Sequence, residues 1–465
     1  MDYNMDVKEF LERSERGGID YSDFIIKYLE KTNQLNNKFN FFSTLIDKIE
    51  PRNPRPSLFG LPLSIKDCIC VKDMQSAAGS RILEGYKPPF DATCVDKIKK
   101  EGGAIIGKTN QDEFGFGTFS TNSGFDVPKN PLDSSRSCGG SSGGAAGIVA
   151  ALGMPNISIA ESTGGSISCP AAFCGVVGLT PTYGLVSRYG LIDYANSLDK
   201  IGLIAKSVWG IARGLSIIVG HDSKDSTSIN KKTEDYEKGL DSDLKKVKIG
   251  VPKEYMENLD KKIEKIIWGS VKKLESLGVE YKEISLPHTK YSLAAYYIIA
   301  AAEASTNLAK FCGMRYGEEG EILESGNFNE CFSGVRTKYF GTEAKRRILL
   351  GTYARMAGYR DQYYIKAMKV RSLVIKDFKK AFSEVELLAA PTMPVIAPKF
   401  SEIEKLTPLE NYMMDILTVA PNLAGVPMLS VPCGKVDGMP VGLHIIGNHL
   451  QEKRILHVGH TFETG

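Results

Sequence analysis

The sequence predicts an α/β protein. Short apolar runs of strand length recur along the chain, at Leu61 to Lys66, Ile157 to Ala160, Lys246 to Val251, Leu387 to Ala390, Met428 to Val431 and Val441 to Ile446. Segments with helical spacing lie between them. The composition, 42% hydrophobic and 24% charged over 465 residues, is that of an ordinary globular chain long enough to bury a large core. No internal repeat, low-complexity tract or linker-like stretch divides it, so one domain over 1–465 with a mostly helical excursion at about 259–383 is the simplest account.

The bulk properties exclude several function classes. A net charge of +3, from 58 basic and 55 acidic residues, is too balanced for an autonomous nucleic-acid binder. The nine cysteines are odd in number and scattered, which argues against a disulfide framework and for a reducing cytoplasm. Cys68 with Cys70, and Cys169 with Cys174, lack the C-x-x-C spacing of a zinc site, so no metal site is expected. Met1 to Asp6 is acidic and has no apolar signal-peptide segment, and no apolar run reaches the ~20 residues of a membrane span.

Taken in order, residues 5–16 and 20–36 read as two amphipathic helices. Asp20 or Ser22 is placed to cap the second, with Phe24, Ile25, Tyr28 and Leu29 on its inner face. Pro51 to Pro56 forces an extended connection. Leu61, Leu63 and Ile65 then alternate as a strand that ends at Lys66, which on its own reads as a solvated strand-end charge. Thr93 to Glu101 is helical and stops at Gly102-Gly103.

Gly102 to Thr109 matches the phosphate-loop pattern G-x-x-x-x-G-K-T letter for letter. A helix precedes it, however, and its strand-like residues Ala104 to Ile106 fall inside the would-be loop, so nucleotide binding there is a secondary reading. Gly115 to Ser123 reads as a loop, Ser142 to Leu152 and Ser207 to Val219 as helices. Ala294 to Lys310 and Glu343 to Phe382 are helical, the second interrupted at Gly351 and Gly358.

The chemistry concentrates between Cys138 and Cys174, where Gly139-Gly140-Ser141 and Gly164-Gly165-Ser166 flank a small-residue helix and a β-branched run. Glycine gives up much backbone entropy on folding, so two such clusters imply close backbone approach with N–H groups free to point at a ligand. A serine nucleophile needs a base. The six histidines, at 221, 288, 444, 449, 457 and 460, all lie in the second half of the chain, far in sequence from either cluster. Gly139 to Gly143 fits G-x-S-x-G and keeps a Ser-His-Asp hydrolase open. The alternative base is lysine, which accepts a proton only when neutral, a state that burial favours. Lys66, after an apolar strand and before Cys68, Ile69 and Cys70, meets that condition.

Lys66 in G-L-P-L-S-I-K-D, Ser141 in G-G-S-S-G-G and Ser166 in T-G-G-S-I together resemble the amidase signature family, whose signature core would span about 60–205. Gly184 to Gly190, Ser197 to Gly202, Lys224 to Ser228, Lys345 to Tyr353, Ala390-Pro391-Thr392 and Asn422 to Gly425 extend the likeness over nearly the whole chain. They point to the A-type subunits of tRNA-dependent amidotransferases. The resemblance implies a central mixed β-sheet covered by helices on both faces. It also implies a Ser-Ser-Lys triad with Ser166 as nucleophile, Ser141 as a bridging serine with a cis peptide, and Lys66 as base. The backbone N–H groups of Thr163, Gly164, Gly165 and Ser166 would form the oxyanion hole.

Glutamine, the implied substrate, would be held by Arg347 and Asp415 with Tyr296 lining the pocket. By pattern alone these three are a helix-surface arginine, a helix N-terminal aspartate and a core tyrosine. The family further implies ammonia delivery to a B-type partner that uses ATP and Mg and makes most of the tRNA contact, a small C-type partner, no cofactor in this chain, and a cytoplasmic setting. Ser162, Ser168 and Thr180 stand where the family commonly has Asp, Arg and Lys, so two charges beside the nucleophile are missing. The rival readings are a free-standing amidase and an inactive scaffold within such a complex.

Overall fold

The computed structural model describes residues 3–49, 57–244, 247–257, 259–317 and 327–465. The extended connection expected at Pro51 to Pro56 and the first residue of the strand expected at Lys246 lie outside them.

Eleven strands form one mixed sheet: β1 (Phe42–Leu45), β2 (Pro62–Lys66), β3 (Ala104–Thr109), β4 (Ile157–Ser162), β5 (Val177–Thr180), β6 (Lys200–Ala205), β7 (Val247–Pro252), β8 (Val279–Ile284), β9 (Leu387–Pro391), β10 (Met428–Val436) and β11 (Met439–Gly447). Their spatial order is β1-β3-β2-β4-β6-β5-β10-β11-β9-β7-β8. β2 runs parallel to both β3 and β4, and β7 parallel to β8 and β9, while the remaining pairs are antiparallel. β2 and β4 are buried along their whole length, as strands covered on both faces should be.

Helices α1 (Val7–Glu15) and α2 (Tyr21–Phe39) form the N-terminal pair. Asp20 caps α2, accepting from the N–H groups of Ser22 and Asp23, and Phe24, Ile25, Tyr28 and Leu29 are buried as their spacing requires. α3 (Thr93–Lys100) precedes β3, and α4 (Gly143–Leu152) joins the first serine cluster to β4. α5 (Ser168–Cys174) follows the second cluster and covers one sheet face, Ala171 lying over Gly178 and Ala172 over Gly442. The opposite face is covered by α6 (Val208–Ile218), whose Gly214 sits over Leu203.

The excursion is helical but not wholly so. α7 (Lys261–Ser276) is followed by β8, a strand absent from the sequence reading. α8 (Ser292–Asn307), α9 (Thr342–Arg355) and α10 (Lys366–Glu384) also belong to it, with a further helix over Phe328–Tyr339. α9 runs straight through Gly351: a Cβ there would fall 1.8 Å from the Ala301 carbonyl oxygen, so this glycine permits a close helix crossing rather than a break. The break comes at Gly358, at φ +89, followed by a π-helical turn over Asp361–Ile365. β10 continues past Val431 through Pro432, because a register shift between Pro432 and Gly434 accommodates the proline.

Candidate active site

Lys66 is the last residue of β2, held between two parallel neighbours and wholly buried. Its Nζ donates to Ser141 Oγ at 2.8 Å and to the Glu161 carbonyl oxygen at 2.9 Å. Glu161 Oε2 also lies 2.9 Å from the same nitrogen. Ser141 stands just before α4, and the Gly140–Ser141 peptide is cis, as the resemblance implies. Gly115, at φ +81, is the close neighbour: a Cβ there would lie 3.5 Å from Ser141 Oγ and 3.6 Å from Glu161 Oε2.

The second cluster forms a tight turn between β4 and α5. The Ser166 carbonyl accepts from Ser142 N at 3.3 Å, which ties the two glycine clusters together, and Ser166 is 7% exposed. Among the described residues, the backbone N–H groups of Gly164, Gly165 and Ser166 donate to no other group of the chain. Buried N–H groups are nearly always paired, so three free donors in one turn mark a place where an acceptor from outside the chain is received.

Two glycines of the turn are required by what presses on them. A Cβ on Gly164 would fall 2.5 Å from Tyr296 Oη, and one on Gly165 would fall 2.3 Å from Thr418 Oγ1. Tyr296, from α8, therefore packs on the turn itself. Thr418 belongs to the segment that carries Asp415, since its N–H donates to the Asp415 carbonyl at 3.0 Å. From α11 (Val419–Ala424), Asn422 Nδ2 donates to the Gly164 carbonyl and fixes the turn from below.

Arg347 is 3% exposed, not a helix-surface residue. Its Nε donates to Glu343 Oε1 at 2.8 Å, and its guanidinium carbon lies 5.3, 5.8, 4.8 and 5.0 Å from the ring centres of Phe116, Tyr194, Tyr297 and Tyr412. Such a cage desolvates a cation while returning part of its stabilisation through the ring faces. Asp415 is likewise buried, accepting from Thr118 Oγ1 at 3.1 Å and Tyr297 Oη at 2.7 Å. Burial pushes its carboxyl above the ordinary range, against the pull of those two bonds. Thr118, Arg347 and Tyr412 line a cavity of about 220 Å³ together with Phe119, Asn122 and Asn411. The structure thus brings Arg347 and Asp415 into one tyrosine-lined site, connected through Tyr296 and Thr418 to the Ser166 turn.

Other readings are corrected. Gly102 to Thr109 is not a phosphate loop, because Ala104–Thr109 is strand β3. Lys108 is wholly buried, its Nζ donating to Ser76 Oγ at 2.8 Å, to the Asp67 carbonyl at 3.4 Å and to the Ile69 carbonyl. Among the histidines, His444 does come near the second cluster, with Nε2 3.3 Å from Ser168 Oγ. Burial, helped by Lys200, lowers its pKa to about 3, so it stands as a neutral imidazole beside Ser168 rather than Ser166. Ser162 Oγ and Thr180 Oγ1, at two of the positions that depart from the family pattern, are buried without a hydrogen-bond partner. Glu161, Tyr194, Tyr297, Tyr412 and Asn422 are site residues that sequence reasoning missed. Only Glu161, a charge near the end of an apolar strand pattern, carried a local signal.

A buried lysine–serine pair beside a glycine turn with free N–H groups is the equipment of a serine hydrolase that works on amides without histidine. The family model described as Amidase matches residues 26–456, and the chain belongs to that family. Among its relatives, the A-type subunit of glutamyl-tRNA(Gln) amidotransferase from Methanosarcina mazei is 50% identical over 448 residues, 94% of this chain and 92% of that protein. The protein of the same name from Sulfurihydrogenibium sp. is 45% identical over 471 residues, 98% of this chain and 96% of that protein. The crystal structure of the same type of amidotransferase chain from Thermotoga maritima matches with a TM-score of 0.85 at 35% identity, covering 100% of this chain and 96% of that one. Among the described residues no helix is long and apolar enough to cross a membrane.

Proposed function

We propose that this chain is the glutamine-hydrolysing component of a tRNA-dependent amidotransferase that converts Glu-tRNA(Gln), Asp-tRNA(Asn) or both. Ser166 Oγ attacks the side-chain amide carbon of glutamine. Its proton passes to Ser141 Oγ, whose own proton passes to neutral Lys66. The developing oxyanion takes hydrogen bonds from the N–H groups of the turn, each typically worth ~3 kcal/mol of barrier. The proton then returns through Ser141 to the leaving nitrogen, releasing ammonia and a glutamyl ester on Ser166, which water hydrolyses to glutamate.

Arg347 and Asp415 pair with the α-carboxylate and α-amine of glutamine, and Tyr296 holds the turn against the substrate. The carrying observation is the 2.8 Å contact between Lys66 Nζ and Ser141 Oγ, wholly buried beside the turn. Ammonia passes to a B-type partner that activates the aminoacyl-tRNA with ATP and Mg, a small C-type partner completes the complex, and this chain needs no cofactor of its own. A cytoplasmic setting and a near-neutral charge suit that division of labour.

The test is glutamate release by the chain assembled with its B- and C-type partners. Ser166→Ala abolishes it, and undiminished release would overturn the mechanism. Stimulation of glutaminase activity by the B-type partner separates this reading from a free-standing amidase, which would act fully alone on simple aliphatic amides.

A further inference from the structure

Behind Lys66 the structure places two carboxyl groups and one hydroxyl in a buried line. Glu161 Oε2 touches Lys66 Nζ, and Glu161 Oε1 lies 2.7 Å from Thr163 Oγ1. That same hydroxyl lies 2.8 Å from Asp199 Oδ1. Exposure along the line is 0% at Lys66, 3% at Glu161, 1% at Thr163 and 0% at Asp199, so bulk solvent does not reach it.

A hydroxyl has one proton and can donate to only one of two carboxyl groups. The other contact needs a proton on the carboxyl itself, so Glu161 and Asp199 hold one between them. Burial, and then the neighbouring Glu161, push Asp199 well above the carboxylate range, whereas bonds from the Tyr194 and Ala195 N–H groups favour its ionised form. These opposed influences let the proton sit on either side of Thr163. Other buried charges nearby are engaged elsewhere. Asp67 accepts from Ala77 N and Gly79 N, Asp112 from Ser120 N and Asn122 N, and Arg347 is paired with Glu343.

We propose that Glu161, the Thr163 hydroxyl and Asp199 form a proton relay that adjusts the charge facing Lys66 during amide hydrolysis. The proposal rests on the assignment of Lys66 as base made above. Lys66 serves as a neutral amine only while the shared proton lies on Glu161, so the relay starts from that arrangement. As the bond from Ser166 Oγ to the amide carbon forms, the Ser166 proton moves to Ser141 and the Ser141 proton to Lys66. Glu161 gives its proton to Thr163 Oγ1, whose own proton moves to Asp199 Oδ1.

The new ammonium then faces a carboxylate instead of standing alone in a dry site. When the carbon–nitrogen bond breaks, both transfers run backward, Lys66 protonating the leaving nitrogen through Ser141 and Asp199 restoring Glu161 through Thr163. The relay gains and loses no proton over the cycle. Glu161, Thr163 through its hydroxyl, and Asp199 are positioning residues, acting through Lys66.

The test compares Thr163→Val with Thr163→Ser in the assembled complex, with Asp199→Asn as a second variant that keeps the carboxyl shape but takes up no proton. Thr163→Val and Asp199→Asn are expected to lower kcat for glutamine at least about tenfold, while Thr163→Ser retains most of it. KM stays within about twofold in all three, since no substrate contact is touched. Two protons move in the triad itself, so the proton inventory in mixed H2O and D2O is curved in every form, but the curvature is greater for the unmodified complex and Thr163→Ser than for Thr163→Val. Wild-type kcat with undiminished curvature in Thr163→Val, or a Thr163→Ser as slow as Thr163→Val, overturns the relay. Ser166→Ala keeps the two ideas apart: its full activity would overturn the functional reading, whereas an inactive Ser166→Ala beside a fully active Thr163→Val overturns the relay alone.

Discussion

Lys66 and Lys108 sit one register step apart on neighbouring parallel strands, Lys108 opposite Ile65 and Lys66 opposite Thr109, and both are wholly buried. Lys108 is the lysine of the motif that resembles a phosphate loop; Lys66 ends a plain apolar strand. The structure reverses the importance those contexts suggest. The Lys108 amine meets two backbone carbonyls and the Ser76 hydroxyl, with the Asp67 carboxyl nearby, a closed set of partners that stitches β3 to the chain after β2. The Lys66 amine meets a hydroxyl that can give up a proton and a carboxyl that leads to a second one. What a buried lysine does is decided by where its partners lead, here from Lys66 through Ser141 to the Ser166 turn, and burial alone does not distinguish the two.

The largest expected effect breaks the pair apart directly. Lys66→Met removes the base, and glutamate release falls by roughly 10²–10⁴-fold, the usual contribution of a positioned general base. Methionine fills the lysine stem, but the Glu161 carbonyl and carboxyl lose their donor, so the thermal midpoint falls and activity is read per folded molecule. Activity within threefold of wild type would refute the assignment of Lys66.

Lys108→Met sharpens the comparison from the other side. It leaves Ser76 Oγ and the Asp67 and Ile69 carbonyls short of a donor, and orphaned buried acceptors cost about 1–3 kcal/mol. The expected outcome is a lower denaturation midpoint with glutaminase activity per folded molecule within about twofold, and no nucleotide binding gained or lost. An activity loss comparable to that of Lys66→Met would mean that the two lysines work as a unit.

The two lysines also show what was legible in the sequence. The strand ending at Lys66, the helix capped by Asp20 and the glycine-flanked serines were readable because period, cap chemistry and glycine clustering are local signals. β8 was not. Its V-E-Y-K-E-I alternates only as far as Lys282, it lies at the sheet edge with only its two ends buried, and its charged residues resemble the helices around it. β6 was hidden because Lys200 and Gly202 interrupt its apolar run, although all six residues are buried.

At the site, Lys66, Ser141 and Ser166 came from motif order. The environment of Arg347 could not be read in advance, because the four rings around it come from four separate segments and meet only in the fold. Glu161 was overlooked because the family pattern places its charge at position 162, one residue along, where a strand side chain points to the opposite sheet face.

A third buried lysine supplies the smallest effect and the strictest test of what burial alone does. Lys200 lies opposite Ser162 in the β4–β6 pair, and its Nζ has the Val426 carbonyl at 3.2 Å. Burial lowers its pKa to about 7, with Arg371 acting in the same direction and Glu452 against it. In the unfolded chain a lysine keeps its proton up to ~10.4. Between those values the unfolded state therefore binds one proton more than the native state, and stability rises with pH. The contribution is complete above the unfolded value and is lost as pH falls toward about 7.

From pH 7 to pH 8 the gain from this group is about 1 kcal/mol. Glu113 titrates in the same range with the opposite sign, since burial raises its carboxyl to about 7 and stability is lost as pH rises through that value. Over pH 7 to 8 Glu113 offsets only about 0.4 kcal/mol of that gain, because most of its change falls below pH 7, so the pH dependence of the unmodified protein mixes the two groups. The difference between the unmodified chain and Lys200→Met isolates the lysine. Denaturant unfolding at pH 7 and pH 8 should show the variant losing about 1 kcal/mol relative to wild type over that interval. Parallel behaviour would mean that Lys200 keeps its proton throughout.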